Sequence, residues 1–417
     1  MNCAAAVLAS IALMAAPAYA RPYADIMREA NAAFEADDFG KAATLLDEAQ
    51  IERPYSLFLT RNRVLARILS GRMEEAIALA AEIAGRGLVL ETPPHEAFDR
   101  MRAEPSYAPV AARMAANAAP KGEARVIAGY AQNNLLPEAI STSKGKVLIG
   151  SVRSGEIMRA GAELAPFAKL DGGVFDIEQR KGAVYAAINN QLAFERRSDE
   201  APFAAIVELD PATGAERARH PAGGGPSLIG DIEIAKSGRI YASDSLTPRI
   251  VLIDEDTWTN ADGANGREFT DPRFVNLQGI ALDEKHGRLY VADYLAGLFA
   301  IDLKSGAAAL IANPANAHLG GIDGLYLDHG DLIGVQNGTS PQRIVRIDLD
   351  KKGTTALSLG VLAQALPGWS EPTHGAVAGD DFIYIATSNW PAYDDDGNLR
   401  EDANPAPLRV MSAPLDR

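Results

Sequence analysis

One phrase recurs six times between Pro137 and Ser388. A short polar residue precedes a small or branched apolar pair, a Gly-containing turn follows, and an apolar strand such as LYVAD closes the unit. The copies are PEAISTSKGKVLIGSV, VFDIEQRKGAVYAAI, IGDIEIAKSGRIYASD, LQGIALDEKHGRLYVAD, IDGLYLDHGDLIGVQN and THGAVAGDDFIYIATS. A second phrase (IVELD, IVLID, LFAID, IVRID) ends at Asp210, Asp254, Asp302 and Asp348, each followed by a turn. Each unit therefore holds two hairpins. Four strands in every repeat of roughly 40–50 residues make the blade of a β-propeller, so six units predict six blades. A propeller hides its edges by pairing its two chain ends in one blade. Arg125–Ala128 is expected to pair with Leu408–Met411, which places the propeller at residues 119–417.

Residues 21–118 follow a different period. Ile26, Ala30, Ala33 and Phe34, then Ala42, Leu45, Leu46 and Ala49, recur at helical spacing. AATLLDEAQ from Ala42 is echoed by AIALAAEIA from Ala76, 34 residues later. A 34-residue period of helix hairpins resembles the tetratricopeptide repeat, with Ala42, Leu46, Ala49 and Pro54 on its small, large, small and proline positions. Two units are fewer than such repeats need to stand alone, so this part is expected to pack on the propeller. It could also dock a protein partner. The stretch Ala115–Arg125 reads as a linker.

The first twenty residues carry no charge, and Ala18 and Ala20 fit an A-x-A cleavage site. Residues 1–20 are therefore expected to be a signal peptide, and the protein to be exported, periplasmic or secreted. No span long enough to cross a membrane is expected in the mature chain, which also lacks the single cysteine, Cys3. Forty basic residues against 55 acidic ones, with no basic block, exclude a nucleic-acid binder.

Six residues share the position at the head of the repeated phrase: Glu138, Asp176, Asp231, Gln278, Asp323 and His374. In a propeller this position faces the mouth of the central channel. Four of the six are carboxylates, which repel one another unless a cation neutralises them. Oxygen donors of this kind suit Ca²⁺ or another hard divalent ion better than zinc. His374 could take a proton from a water in the ring, with Asp176 as a further candidate base. His220, His286, His318 and His329 read as surface residues. Trp390 and Tyr393, in the acidic loop NWPAYDDDGN, are expected to wall the channel mouth against a small-molecule ligand, with Trp258 and Trp369 as similar candidates elsewhere. The chain has no G-x-S-x-G and no H-E-x-x-H motif.

LPEAISTSKGKVLIGSVRSGEIMR, NLQGIALDEKHGRLYVADYLAGLFAID and GIDGLYLDHGDLIGVQNG resemble the gluconolactonase and senescence-marker-protein (regucalcin) propellers. The resemblance runs over residues 126–417, and NHL-type propellers share its phrases. It implies one channel Ca²⁺ held by Glu138 from blade one, Asp231 from blade three, Gln278 from blade four and Asp323 from blade five. Asp231 and Gln278 stand where that family more often has Asn.

Two functions remain open. One is a metal-dependent hydrolase of lactones or related esters, with His374 or Asp176 activating water. The other is a non-enzymatic propeller that binds a ligand or protein at its mouth and docks a partner through the helices.

Overall fold

The computed structural model describes residues 21–180, 182–190, 193–197, 203–222, 226–254, 267–394 and 396–415. The expected signal peptide and Trp258 lie outside these residues. Among them, no helix is long and apolar enough to cross a membrane.

Six helices come first: α1 (Tyr23–Glu35), α2 (Phe39–Glu52), α3 (Leu57–Leu69), α4 (Met73–Gly85), α5 (Glu96–Ala103) and α6 (Ala108–Ala118). Asp38 accepts from the Lys41 N–H to cap α2, and Ser56 accepts from the Leu59 N–H to cap α3. Alanines at Ala30, Ala33, Ala42 and Ala49 let α1 and α2 approach closely around Ile26 and Leu46. Ile68, Ala80, Ile83 and Leu88 close the second pair over Phe98 and Met101.

Six blades follow, as the repeats predict, each of four strands, with a fifth short strand added to the edge of blade five. Their inner strands are Pro137–Ser143, Gly173–Arg180, Ile229–Ile234, Leu277–Asp283, Leu325–Asp328 and Gly375–Ala378. Each inner strand contacts the next in that order, and the sixth contacts the first, so the ring is closed. The closing strand is Arg125–Gly129, on the outer edge of blade six, with Arg125 opposite Ser412 and Val126 opposite Met411. Blade faces meet through Val, Ile and Leu at alternate strand positions, as between Ile177, Val184 and Leu148.

The helices sit on blades four and five. The Tyr55 ring enters a slot between Gly297 and Gly320, where a Cβ would come within 2.5 and 2.2 Å of Tyr55 atoms. Its N–H donates to Leu295 O (3.1 Å), and Asn313 Nδ2 donates to its hydroxyl (3.0 Å). Val89 N–H donates to Ser340 O at 2.6 Å. The stretch expected as a linker is instead anchored. Asn117 and Ala119 carbonyls accept from Gln364 Nε2, and Lys121–Gly122 pairs with Gln364 and Ala363 on the edge of blade five. Backbone polar groups beside a sheet edge find partners there, which overrides the local loop signal.

Candidate functional site

The ring of polar residues is aimed inward by a repeated irregularity. In blades one to four the inner strand slips register against its neighbour beside the predicted position: between Pro137 and Ile140, Val174 and Asp176, Ile229 and Ile232, and Leu277 and Ile280. A bulge adds a residue and re-aims a side chain. It also frees backbone groups that need partners. Asp176 Oδ2 accepts from the Ile232 N–H of blade three (3.0 Å), and Asp231 Oδ2 accepts from the Ile280 N–H of blade four (2.8 Å). Asp323 and His374 lie just ahead of the inner strands of blades five and six. Gly279 makes this convergence possible. Its N–H donates to Asp323 O at 2.6 Å, and a Cβ there would sit 2.3 Å from that oxygen.

Among the described residues, two sets of three bring their ligand atoms within 4.8 Å of one another: Glu138, Asp323 and His374, and Asp176, Asp231 and His374. His374 belongs to both. Its Nδ1 lies 3.5 Å from Asp176 Oδ1, and the side chain is buried. Of the four residues expected to hold a metal, Glu138 and Asp323 come together, while Asp231 groups with Asp176. Gln278 lines the same cavity as Glu138 and Asp323, and its amide donates to Asn276 Oδ1.

Two adjoining cavities form the mouth. The outer one, about 320 Å³, is lined by Gln278, Tyr294, Asp323, Asn337, Glu371 and Trp390. The inner one, about 190 Å³, shares Gln278, Asp323 and Trp390 with it and is otherwise lined by Glu138, Phe175 and His374 among others. Trp390 stands at the mouth as expected, its Nε1–H donating to Glu138 Oε2 at 2.6 Å. Tyr393 lines neither cavity. It is buried with Leu136, Val152 and Phe175, and the Arg153 guanidinium lies over its ring. Trp369 packs edge-on against Tyr384 within blade six. His220 and His318, expected at the surface, are buried.

Four groups around the mouth escape sequence reasoning because none sits at the position that heads each repeated phrase. They are Glu371, Asn337, Tyr294 and Phe175. Asn337 Nδ2 donates to Asp323 Oδ2 (2.7 Å), and the Tyr294 hydroxyl donates to Asn337 Oδ1 (2.9 Å). Glu371 precedes His374 by three residues, and that proximity in Glu-Pro-Thr-His is its only sequence signal. Leu136 (φ 45°), Glu371 (φ 57°) and Asn389 (φ 69°) all have left-handed backbones beside the site. Such conformations cost about 1–3 kcal/mol each and collect where geometry is constrained by function.

The charges follow from burial. Burial and the Asp323 charge push Glu138 up to about 8. Burial and the Asp176 charge hold Asp231 well above the usual carboxylate range, and burial raises Asp323. Burial and Asp323 bring Glu371 to about 7. Burial alone would lower His374, but the hydrogen bond to Asp176 and the charges of Asp176, Asp231 and Asp323 prevail and push it up to about 10. At neutral pH His374 is an imidazolium. The base role expected of His374 needs the neutral ring, which the carboxylates on both sides disfavour. Two residues further along the inner strands, on the same face, a lower pair of acids continues the column. Glu178 is raised by burial and the Glu233 charge, and burial raises Glu233 to about 7.

No protein-family model and no curated protein matches the chain. Solved structures do resemble it. The PQQ-bound aldose sugar dehydrogenase of Streptomyces coelicolor is 16% identical over 71% of this chain and 99% of its own, with a TM-score of 0.47. A gluconolactonase from Xanthomonas campestris is 14% identical over 72% and 92%, with a TM-score of 0.46. The virginiamycin B lyase of Staphylococcus aureus is 14% identical over 70% and 100%, also at 0.46. These are likenesses of chain course at low identity and carry no chemistry over.

Proposed function

We propose that the channel mouth hydrolyses lactones or related esters with the help of a divalent cation, Ca²⁺ first among candidates. The observation that carries this reading is the position of His374. It is an imidazolium clasped between two pairs of acids on the wall of the inner cavity, and Glu371 lines the outer cavity that adjoins it. Burial raises the pKa values of Glu138, Asp231, Asp323 and Glu371, and a neighbouring carboxylate charge adds to this at Glu138, Asp231 and Glu371. Glu138, Asp323 and the Gln278 amide supply oxygen donors suited to a hard ion, with Asp231 behind them. When bound, such an ion polarises a carbonyl oxygen.

The chain's own groups divide the proton work. Asp176 holds the imidazolium in place through Nδ1. Glu371, with a pKa near the working pH, accepts a proton from a water in the outer cavity. That water's oxygen bonds to the carbonyl carbon. His374 gives its proton to the alkoxide that leaves, and the product is a hydroxy acid or an acid and an alcohol. Trp390 and Phe175 exclude bulk water from one side.

A second reading, a propeller that binds its ligand without turnover, is favoured by one observation. Asp176 and Asp231 each serve the backbone of the next blade, which is a structural use of a carboxylate. A panel of lactones and aryl esters, run before and after chelation, separates the two readings. Export through residues 1–20 and a protein partner on the helices belong to the same proposal. Secretion of a full-length reporter fusion, and pull-down with the helices' exposed residues altered, test them.

A further inference from the structure

The helices do more than lean on blades four and five. Between the Tyr55 anchor and the Val89–Ser340 hydrogen bond they leave a groove of about 400 Å³. Leu57, Phe58 and Arg61 of α3 form one wall, Val89 to Glu91 another, and the blade-five loop 337–342 the floor. Asn337 lines both this groove and the outer cavity of the mouth, where it bonds Asp323. A ligand leaving the mouth past Asn337 therefore enters a wall built by the helical part.

Two features of that wall are unusual for a protein surface. Phe58 is 53% exposed, the one aromatic ring among the large apolar residues exposed in the described chain. Arg61 lies with its guanidinium 5.5 Å from the Phe58 ring centre, and no carboxylate pairs with it among the described residues. Its neighbours on the same helix, Arg63 and Arg67, both pair with Asp47. An arginine kept free of its usual partners, over an exposed ring in a groove, is placed to meet an anion from outside. Glu91, exposed on the facing segment, sets a limit: one negative charge is accommodated, and a polyanion is repelled.

We infer that this groove is the distal subsite of the mouth. It takes an apolar acyl or aryl segment against Leu57, Phe58 and Val89, ending in a single carboxylate at Arg61. The substrate is then an elongated ester or lactone with an anionic tail rather than a small neutral lactone. This inference rests on the hydrolase reading for the substrate's reactive end, but the groove can be tested without turnover.

Binding of 4-phenylbutyrate to the full chain, measured by calorimetry, is the first arm. Wild type should bind it, and Arg61→Gln and Phe58→Ala should each weaken binding by roughly five- to ten-fold, the scale of one partly exposed charge-assisted contact. Arg61→Lys should restore part of it, and melting curves of all variants should match wild type. The second arm compares two 4-nitrophenyl esters, acetate and hydrogen suberate. Wild type should prefer the suberate in kcat/KM, and both variants should lose that preference. Inactivity on both esters with 4-phenylbutyrate still bound through Arg61 would sink the hydrolase reading and keep the groove. Absence of 4-phenylbutyrate binding, or binding indifferent to Arg61 and Phe58, overturns the subsite.

Discussion

His374 of blade six and Asp176 of blade two meet inside the channel, Nδ1 to Oδ1 at 3.5 Å, although blade one stands between their blades. The pair exists only when the ring is closed. Closure in turn depends on the strand Arg125–Gly129, which the chain lays down straight after the helices. Helices, closure and proton chemistry are thus linked along one stretch of chain.

The paired imidazolium has a pH signature. A histidine whose folded pKa is raised from 6.5 to about 10 stabilises the fold fully below about 6.5, and that stability is lost as pH rises through about 10. His374→Ala should therefore show a smaller fall in melting temperature between pH 7 and 10.5 than wild type. If the protein is a hydrolase, wild-type kcat should also fall above about pH 10 as the acid is lost, and the variant should be slower by roughly 10²–10⁴-fold.

Glu371 should govern the other limb. With a pKa of about 7, its base form appears as pH rises through neutrality, so kcat/KM should climb between about pH 6 and 8. Glu371→Gln should lose that limb along with most of the rate. A variant that keeps both would return the base role to another group.

Glu138 is held above its ordinary pKa, from 4.5 to about 8, so its ionised form is a burden on the fold when no cation is present. For such a group the folded state is favoured at low pH, and the advantage drains away as pH climbs from about 4.5 to 8. In chelator, Glu138→Gln should melt higher than wild type at pH 8.5 by about 2–4 °C, with little difference at pH 5. Added calcium should reverse the order, because an ion bound only by the folded state stabilises it by mass action. The amide of the variant still accepts from Trp390.

The helical part is locked by shape. A Cβ on Gly320 would fall 2.2 Å from Tyr55 Cβ, so Gly320→Ala must push the helices off blade five. The expected cost is about 1–3 kcal/mol in denaturant unfolding. Limited proteolysis should then cut near residues 119–125, which wild type protects through Gln364.

The propeller was legible because its period is local. Each repeated phrase became an inner strand and its partner, and Arg125 and Val126 found Ser412 and Met411 as the closing pairing required. The ring of Glu138, Asp176, Asp231, Gln278, Asp323 and His374 was legible for the same reason, since one position in a repeat maps to one height in the channel. What the repeat does not encode is distance across the ring. That His374 joins both acid pairs, and so keeps its proton, depends on how far each bulge throws its side chain. Glu371 and Phe58 come from a loop and a helix outside the repeat, and only packing brings Glu371 to the mouth and Phe58 to the groove beside it. Tyr393 shows the opposite limit: an aromatic in an acidic loop reads as exposed, yet Leu136, Val152 and Phe175 bury it.

Cation-assisted hydrolysis at the mouth is the activity we propose. Its most direct test is turnover of a lactone and aryl-ester panel by protein whose bound metal has been measured, before chelation, after chelation and after calcium is restored. The expected result is hydrolysis of at least one member, lost with the metal, regained with calcium, and reduced by roughly 10²–10⁴-fold in His374→Ala that still holds its metal. Stoichiometric metal with no turnover of any member would contradict it and leave a propeller that binds without reacting.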